Sequence, residues 1–241
     1  MKRKFAAFDI DGTIFRSSLV AELLLLGIQR GVFQQSAYGE FSTQYENWRR
    51  RKDDAAYDIF IEALVASYVK HIKGQKSQHI DILAESVIDG MSDYTHVYTR
   101  KLSEKLKRDG YFLIAISGSP SELVSRFTTK YGFDAYVAAE YTLESGMYTG
   151  ASVPAHSGKD KILTQLVKQH DLDWAGSYAV GDSPGDIGML SLVENPIAFN
   201  PDRILLQKAQ QEHWRVVVER KNVVYEMESV DGRYVLATSG N

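Results

Sequence analysis

A short apolar segment at residues 5–8 ends abruptly in the motif Asp-Ile-Asp-Gly-Thr at residues 9–13, and this junction constrains the fold more than any other feature of the chain. An apolar run that stops at a turn signal is typical of a buried strand leading into a loop. No strand pattern follows for about 80 residues. A long insertion is therefore predicted between this first strand and the remaining strands.

The insertion has the pattern of helices. Apolar side chains recur at intervals of three and four residues in four successive segments, and glycines lie between these runs. The segments are residues 19–28, 33–48, 59–72 and 80–88. We therefore predict an all-helical domain at residues 15–94, inserted into a core domain formed by residues 1–14 and 95–241.

Beyond the insertion, helical and strand patterns alternate. Helices are predicted at residues 97–106, 121–131 and 159–170, and apolar strands at residues 111–116, 136–139, 177–180 and 197–199. Strands that alternate with helices favour parallel pairing, right-handed crossovers and helices on both faces of the sheet.

The C-terminal region has a different pattern. Strands are predicted at residues 214–219, 223–228 and 234–236, and Asp231-Gly232 is a hairpin signal between the last two. The predicted fold class is therefore α/β, with a Rossmann-like parallel-sheet core, an inserted all-helical domain and an antiparallel C-terminal extension.

Polar residues follow several of the predicted parallel strands or begin the helices after them. In chain order they are Asp9, Asp11, Ser117, Gly118, Lys159, Asp182 and Asp186. Ligands of open parallel sheets bind beyond the carboxyl ends of the strands. These residues are thus expected to meet at one edge of the sheet, although they are spread over about 180 residues of sequence.

The acidic residues have the chemistry of a magnesium site. Asp9 and Asp11 are two residues apart, so both carboxylates can point to one side of the strand end and reach one cation and one substrate atom. Mg²⁺ prefers hard oxygen ligands and is held by one or two carboxylates together with a substrate phosphate. Asp182 offers a further carboxylate. Mg²⁺ is the predicted cofactor.

Ser117 and Lys159 have the chemistry of a phosphate site. Ser119, Pro120 and Glu122 form a helix-start signature with a predicted capping box, which places Ser117 just before a helix N-terminus. Free backbone N–H groups there favour an anion. Lys159 adds a mobile positive charge. Carboxylates, a divalent metal, an anion site and a lysine together indicate phosphoryl transfer.

The order of these motifs resembles the haloacid dehalogenase (HAD) superfamily. The matching residues are the Asp-x-Asp-Gly-Thr motif at 9–13, Ser117, Lys159 and the Gly-Asp-x-x-x-Asp motif at 181–186. The helical insertion after the first motif is similar to the phosphoserine phosphatase-like branch, subfamily IB, in which it forms a cap over the site. The resemblance covers residues 5–199 of the core, and the cap only in position and pattern.

The resemblance implies a role for each residue. Asp9 would be the nucleophile that forms an aspartyl-phosphate, and Asp11 would be the general acid and then the base. Mg²⁺ would bind Asp9, the backbone carbonyl of Asp11, and Asp182. Ser117, Gly118 and Lys159 would hold the phosphoryl oxygens. Asp186 would orient Lys159 or a metal-bound water.

Simpler interpretations remain beside these roles. Asp186 could be an acidic capping residue in the first turn of a helix. Ser117 could be a strand-end hydroxyl without a ligand. Lys159 could be a surface charge, and its neighbour Lys161 could be the functional lysine instead. A calcium loop is disfavoured, because neither a third acidic ligand at Thr13 nor a glutamate at the twelfth position follows Asp9.

The chain departs from phosphoserine phosphatases in its candidate substrate-binding residues, and no convincing arginine for a substrate carboxylate is found in the cap, where Arg49, Arg50 and Arg51 are the candidates. Those enzymes carry a glutamate shortly after the first motif that meets the substrate amino group. The matching position here is Ser18, and Glu22 follows one helical turn later. Phosphoserine is therefore not supported as the substrate.

The predicted function is Mg²⁺-dependent hydrolysis of a small phosphorylated metabolite. One alternative is a phosphotransferase that uses the same aspartyl-phosphate, and another is a non-catalytic binding protein on this fold. Loss of Asp9 or Asp11 would be expected in the non-catalytic case, and both are present.

Composition sets further limits. A formal charge of −3 and a single tight basic run, residues 49–52, disfavour a nucleic-acid partner. The most apolar segment, residues 19–28, is shorter than the roughly 20 residues that span a bilayer, so no membrane partner is expected. The absence of cysteine excludes disulfides and thiolate metal sites. A cytoplasmic location is expected, because no signal-peptide pattern follows the basic N-terminus.

Overall fold

The part of the chain that the structure describes is built around a nine-stranded sheet. The computed structural model describes residues 2–53, 55–153, 158–231 and 233–237. The strand order is β4-β3-β2-β1-β5-β6-β7-β8-β9. The six strands from β3 to β7 in this order pair in parallel, whereas β4 at one end and β8 and β9 at the other pair antiparallel.

The strand bounds are β1 Arg3–Phe8, β2 Phe112–Pro120, β3 Ala135–Glu144, β4 Met147–Val153, β5 Leu172–Gly181, β6 Asn195–Phe199, β7 Arg215–Arg220, β8 Val223–Val230 and β9 Arg233–Leu236. The helix bounds are α1 Leu19–Gln29, α2 Ser36–Arg49, α3 Ala56–Ile72, α4 Ser77–Met91, α5 Val97–Arg108, α6 Ser121–Tyr131, α7 Lys159–Gln169, α8 Ile187–Leu190 and α9 Arg203–Gln211. A short 3₁₀ turn, Pro184–Asp186, precedes α8.

The predicted α/β fold class is confirmed. Side chains of β1 alternate between two cores, with Phe8 packed on the side of α1–α6 and Phe5 on the side of α7–α9. A parallel sheet covered on both faces is the arrangement that alternating strands and helices require. Four helices, α1–α4, occupy the chain between β1 and α5 and pack against one another.

Strand β4 was not predicted. It forms a hairpin with β3 through Ser145 and Gly146, which both have positive φ. A two-residue turn with positive φ at both positions suits the twist of a hairpin and favours glycine. The Ser-Gly dipeptide was the available signal. The turn predicted at Asp231-Gly232 falls partly outside the described residues, since Gly232 is not among them.

The β3–β4 hairpin also contacts the helical insertion. Backbone hydrogen bonds join the segment between α3 and α4 to β4, from Gly74 N to Tyr148 O (2.8 Å) and from Tyr148 N to Gln75 O (2.9 Å). The ring of Tyr68 on α3 packs edge-on against Tyr141 on β3, with centroids 5.3 Å apart. The helices are therefore held to the sheet at a third place besides their two chain connections.

Among the described residues, the structure contains no helix that is both long enough and apolar enough to cross a bilayer.

Candidate active site

The polar residues predicted to meet do so at the carboxyl edge of the sheet. Asp9 directly follows β1, and Lys159 is the first residue of α7. The Lys159 ammonium donates to Asp9 Oδ1 at 2.7 Å and to Asp186 Oδ1 at 2.7 Å, and the lysine is only 4% exposed. Lys161, the alternative lysine, is exposed to solvent. The structure thus brings together residues that are up to 177 positions apart in sequence.

Three carboxyl groups lie together beside this lysine. Oxygen atoms of Asp9, Asp182 and Asp186 lie within 4.8 Å of one another. Asp9 Oδ2 is buried and makes no hydrogen bond to a described residue. An unpaired buried carboxylate oxygen carries a large desolvation cost, so this atom marks a position where a ligand is expected.

Asp186 uses its two oxygens differently. Oδ1 accepts from Lys159, whereas Oδ2 accepts from the backbone N–H groups of Asp182 and Ser183 and from the Ser183 hydroxyl, at 2.9–3.1 Å. The carboxylate therefore caps the 3₁₀ turn and also contacts Lys159. A Cβ at Gly181 would overlap the Asp186 side chain, which requires glycine at that position.

Asp11 has a separate environment from this cluster. Its Oδ2 accepts from the Ser117 hydroxyl at 2.7 Å and its Oδ1 accepts from the backbone N–H of Leu19 at 2.6 Å. Leu19 is the first residue of α1, so the carboxylate lies at a helix N-terminus, where the N–H groups stabilise negative charge. The side chains of Asp9 and Asp11 therefore differ in partners, although both residues follow β1.

The loop between β1 and α1 supports Asp182. Gly12 has φ +82°, and a Cβ there would overlap the Asp182 carboxylate. The Thr13 hydroxyl donates to Asp182 Oδ1 at 3.3 Å. A side chain at position 12 would displace Asp182, so this glycine is required both by its backbone conformation and by the close approach of the carboxylate.

The capping box predicted at Ser119 and Glu122 is wrong. Pro120 occupies the N-cap position of α6, and no side chain caps that helix. The Ser119 hydroxyl instead accepts from the backbone N–H of Val20, and Glu122 accepts from the Tyr148 hydroxyl. Both side chains form long-range contacts that outcompete the local one. Ser117 is fully buried in β2, and Gly118 beside it is half-buried.

Burial controls the charges of the site. It raises the pKa of Asp9 to about 7, although Lys159 opposes the shift. It also raises the pKa of Asp182, with the negative charges of Asp9 and Asp186 adding to the effect. Burial by itself would lower the pKa of Lys159, but Asp186 and Asp9 raise it above its ordinary value, so the lysine stays charged.

Asp11 is perturbed in the same direction as Asp9. Burial raises the pKa of its carboxyl group, and the hydrogen bonds from Ser117 and the Leu19 N–H oppose part of that rise. A carboxyl group with a raised pKa retains its proton closer to neutral pH, which is what a general acid requires.

The residues present fit a divalent metal ion. Asp9 has a free buried oxygen, and Asp182 lies beside it with carboxylate oxygens that only Thr13 contacts by a hydrogen bond among the described residues. Oxygen donors and excess negative charge are the properties that Mg²⁺ selects. Both oxygens of Asp186 are already engaged. Asp9 and Asp182 would therefore be the carboxylate ligands.

We predict that Mg²⁺ stabilises the protein more at pH 8 than at pH 5. The folded pKa of Asp9, about 7, lies above the value of about 3.9 for an unfolded chain. The folded state without metal therefore binds more protons between these values, and its stability falls as pH rises through them. Mg²⁺ binds the ionised carboxylates and offsets that loss.

Melting temperatures with and without Mg²⁺ at the two pH values measure this effect. For a chain of this length, each kcal/mol of stability that Mg²⁺ adds should raise the melting temperature by roughly 2–4 °C. The Asp182→Asn variant is the control. At pH 8, Mg²⁺ should raise its melting temperature by less than it raises that of the wild-type protein. Equal gains at both pH values would contradict the prediction.

Two side chains near the site were not identified from sequence. Tyr57, in the first turn of α3, lies within electrostatic range of the carboxyl groups: burial and the negative charges of Asp182, Asp11 and Asp9 raise the pKa of its hydroxyl. His96, just before α5, donates its backbone N–H to Ile14 O at 2.9 Å, and burial lowers the pKa of its ring. Both come close through tertiary packing, and no motif marks either one.

This fold and this arrangement of aspartates and lysine define a hydrolase of the haloacid dehalogenase type. The chain belongs to the haloacid dehalogenase-like hydrolases, whose family model matches residues 6–191. The family predicted from the sequence is therefore confirmed.

Curated proteins of similar sequence include two that are named as phosphatases. The chain is 26% identical to an "Inhibition of morphological differentiation protein" from Streptomyces azureus, covering 90% of this chain and 79% of that protein. It is 23% identical to a histidinol-phosphatase from Neisseria meningitidis (89% and 98% covered) and 25% identical to a phosphoserine phosphatase from Methanocaldococcus jannaschii (86% and 90% covered). The last two names support the prediction of a phosphatase.

A solved structure shows the same fold. A phospho-aspartyl intermediate analogue of phosphoserine phosphatase superposes with a TM-score of 0.62 at 20% identity, covering 92% of this chain and 95% of that chain. At that identity the likeness concerns the fold alone.

Proposed function

We propose that the protein hydrolyses a small phosphomonoester through an aspartyl-phosphate on Asp9. One observation carries this proposal. Asp9 Oδ2 is buried and free, while the charged Lys159 binds the other oxygen of the same carboxylate. A carboxylate is a nucleophile for phosphorus when the negative charge on the phosphoryl group is neutralised. Lys159 supplies part of that neutralisation.

In the proposed reaction a carboxylate oxygen of Asp9 attacks phosphorus, and the bond from phosphorus to the alcohol oxygen breaks. Asp11 donates its proton to that oxygen. Water then attacks the phosphorus of the aspartyl-phosphate and gives one proton to Asp11. Phosphate is released, the Asp9 carboxylate is restored, and Asp11 carries its proton again. The raised pKa of Asp11 and its separation from the Asp9 cluster suit the acid role.

The remaining predicted residues hold the phosphoryl group and the metal. Ser117 and Gly118 lie near the carboxyl end of β2, where the Ser117 hydroxyl donates to Asp11, and Lys159 lies against Asp9. Mg²⁺, held by Asp9, Asp182 and the backbone carbonyl of Asp11, would neutralise charge on the phosphoryl oxygens. Asp186 orients Lys159 through a 2.7 Å hydrogen bond.

We propose that the helical domain at residues 15–94 acts as a cap that excludes water and selects the alcohol. Asp11 accepts from the first N–H of α1, so this domain contacts the site directly, and the negative charges of the aspartates act on the Tyr57 hydroxyl of α3. Glu22 forms a 2.8 Å hydrogen bond with the Ser17 hydroxyl. Closure of such a domain often limits turnover.

Replacing Tyr57 with phenylalanine is expected to lower kcat/KM about tenfold without destabilising the fold. The change removes only the hydroxyl, while the ring keeps its packing against Trp48, 5.4 Å away between centroids. One lost hydrogen bond to the substrate is worth about this factor. Tyr38→Phe is the matched control, since Tyr38 is equally exposed, at 37%, and belongs to the same aromatic cluster on the cap. Equal losses of kcat/KM in Tyr57→Phe and Tyr38→Phe would contradict the proposed role of the Tyr57 hydroxyl.

A screen of small phosphomonoesters tests the proposed function. Histidinol phosphate, phosphoserine and p-nitrophenyl phosphate should be assayed with Mg²⁺, after chelation, and after Mg²⁺ is restored. Activity on at least one ester that is lost on chelation and recovered with Mg²⁺ supports the proposal. Addition of acceptor alcohols then shows whether water receives the phosphoryl group. Activity that survives complete chelation would overturn the metal requirement.

A further inference from the structure

Strand β7 places a buried glutamate at the start of α5. Glu219 lies on β7 with its side chain only 5% exposed. Its Oε1 accepts from the backbone N–H of Val97 at 3.1 Å and its Oε2 from that of Tyr98 at 2.8 Å. His96, which occupies the N-cap position of α5, caps no N–H group with its own side chain. Glu219 therefore supplies the cap from a distant strand, where a carboxylate is stabilised by the helix dipole.

The first turn of α5 in turn holds the loop that follows Asp11. The backbone N–H of His96 donates to Ile14 O at 2.9 Å, and the buried Thr99 hydroxyl donates to Thr13 O at 2.8 Å. The His96 ring lies with Nδ1 3.5 Å from Glu219 Oε1. The start of α5 thus holds two consecutive residues of this loop, Thr13 and Ile14.

The same loop determines where Asp182 lies. Gly12 packs directly against the Asp182 carboxylate, and the Thr13 hydroxyl donates to it. A shift of Gly12 or Thr13 would therefore move one of the two proposed carboxylate ligands of the metal. Misplacement by about 1 Å can cost on the order of 100-fold in rate.

The strand that carries Glu219 is itself fixed to the core. The backbone N–H of Glu219 donates to Asn200 Oδ1 at 2.8 Å, and the N–H of Asn200 donates to Val217 O at 2.7 Å. Antiparallel pairing with β8 holds the strand from its other side, with Glu219 opposite Val224. The glutamate is thus presented from a rigid strand, as a positioning contact requires.

We propose that Glu219 is a positioning residue through which strand β7 fixes the 12–14 loop and, through it, Asp182. Its effect on catalysis rests on the proposed function, whereas its effect on the loop does not. Removal of the carboxylate leaves the N–H groups of Val97 and Tyr98 without their acceptor. The start of α5 then loses the support that holds it against Thr13 and Ile14.

Hydrogen exchange of the intact protein tests the loop directly. The N–H groups of residues 12–15 are hydrogen-bonded within the loop, to acceptors on Ile10, Phe15 and Ser17. In Glu219→Ala these amides should exchange roughly tenfold faster, while amides of β5 stay unchanged. The matched control is Glu228→Gln, on the neighbouring strand β8, where Glu228 is 52% exposed and pairs with Arg215. That variant should leave loop exchange unchanged.

The kinetic readout follows in the same variants. Glu219→Ala should lower kcat for p-nitrophenyl phosphate about tenfold and raise the Mg²⁺ concentration for half-maximal rate, with a smaller change in KM. Glu219→Gln keeps one acceptor oxygen, so it should recover part of both effects, and it serves as the main variant if Glu219→Ala does not fold.

The hydrogen-exchange and kinetic results test the role of Glu219 and the proposed function separately. Faster exchange confined to the first turn of α5, with residues 12–15 unaffected, would show that Glu219 only caps the helix and would overturn the inference. If the wild-type protein hydrolyses no phosphomonoester, the proposed function fails, and loop exchange in Glu219→Ala still decides the positioning role.

Discussion

Replacing Asp9 with asparagine is expected to lower phosphatase activity by at least about 10³-fold while the protein remains folded. The amide oxygen of asparagine is a poor nucleophile, so no acyl-phosphate forms. The fold should tolerate the change, because an amide oxygen still accepts from Lys159 and because Asp186 remains as the counter-ion of that lysine. One negative charge is also removed from a crowded acidic cluster.

Steady-state rates, melting temperature and the Mg²⁺-dependent gain in melting temperature together test this expectation. Asp171→Asn is the matched control, because Asp171 is exposed and has a positive φ that asparagine tolerates. It should retain full activity. The Asp9 variant should keep a gain from Mg²⁺ through Asp182. Substantial remaining phosphatase activity in the Asp9 variant would refute the assigned nucleophile.

Replacing Lys159 with methionine is expected to impair both activity and stability. The ammonium is the cation that contacts Asp9 and Asp186, and all three side chains are buried. Removal of one partner from a buried ion pair typically costs about 3–5 kcal/mol, because it leaves uncompensated charge. Activity should fall by about 10²–10³-fold, since a preorganised positive charge against the phosphoryl oxygens is lost.

Denaturant unfolding in the absence of metal measures the stability loss, which should shrink as pH falls, since protonation neutralises the carboxylates left behind. Lys161→Met is the matched control: Lys161 is exposed, two residues along the same helix. A Lys159 variant as stable and as active as the Lys161 variant would show that the lysine has no role in the site.

The fold and the family were predictable because they depend on patterns that are local in sequence. Apolar periodicity identified β1, α1, α6 and α7, and the alternation of elements specified a parallel sheet whose carboxyl edge collects Asp9 and Lys159. Strand β4 escaped prediction because a short, half-exposed strand that begins just after a Ser-Gly turn has little apolar pattern of its own.

Local rules failed where a side chain had a better partner far away in sequence. Ser119 and Glu122 match a capping box, but Val20 and Tyr148 take their hydrogen bonds. Asp186 shows the opposite outcome, since its local capping role and its long-range contact with Lys159 use different oxygens of one carboxylate. The choice between these outcomes depends on three-dimensional packing, which no single stretch of sequence encodes.

The contributions of Tyr57 and Glu219 could not be predicted for the same reason. The aspartates whose charges act on Tyr57 are distant from it in sequence, and Glu219 reaches α5 from a strand more than 120 residues later in the chain. Neither belongs to a motif, and each contributes through a single side chain.

Backbone hydrogen bonds join β4 to the segment between α3 and α4. They bear on any attempt to change the substrate specificity by exchanging the helical insertion. An exchange of residues 15–94 alone would leave Tyr141 and Tyr148 facing a foreign surface and would discard the pairing at Gly74 and Gln75. The transplantable unit therefore includes the β3–β4 hairpin, and chimeras that move both pieces together should fold where simpler swaps do not.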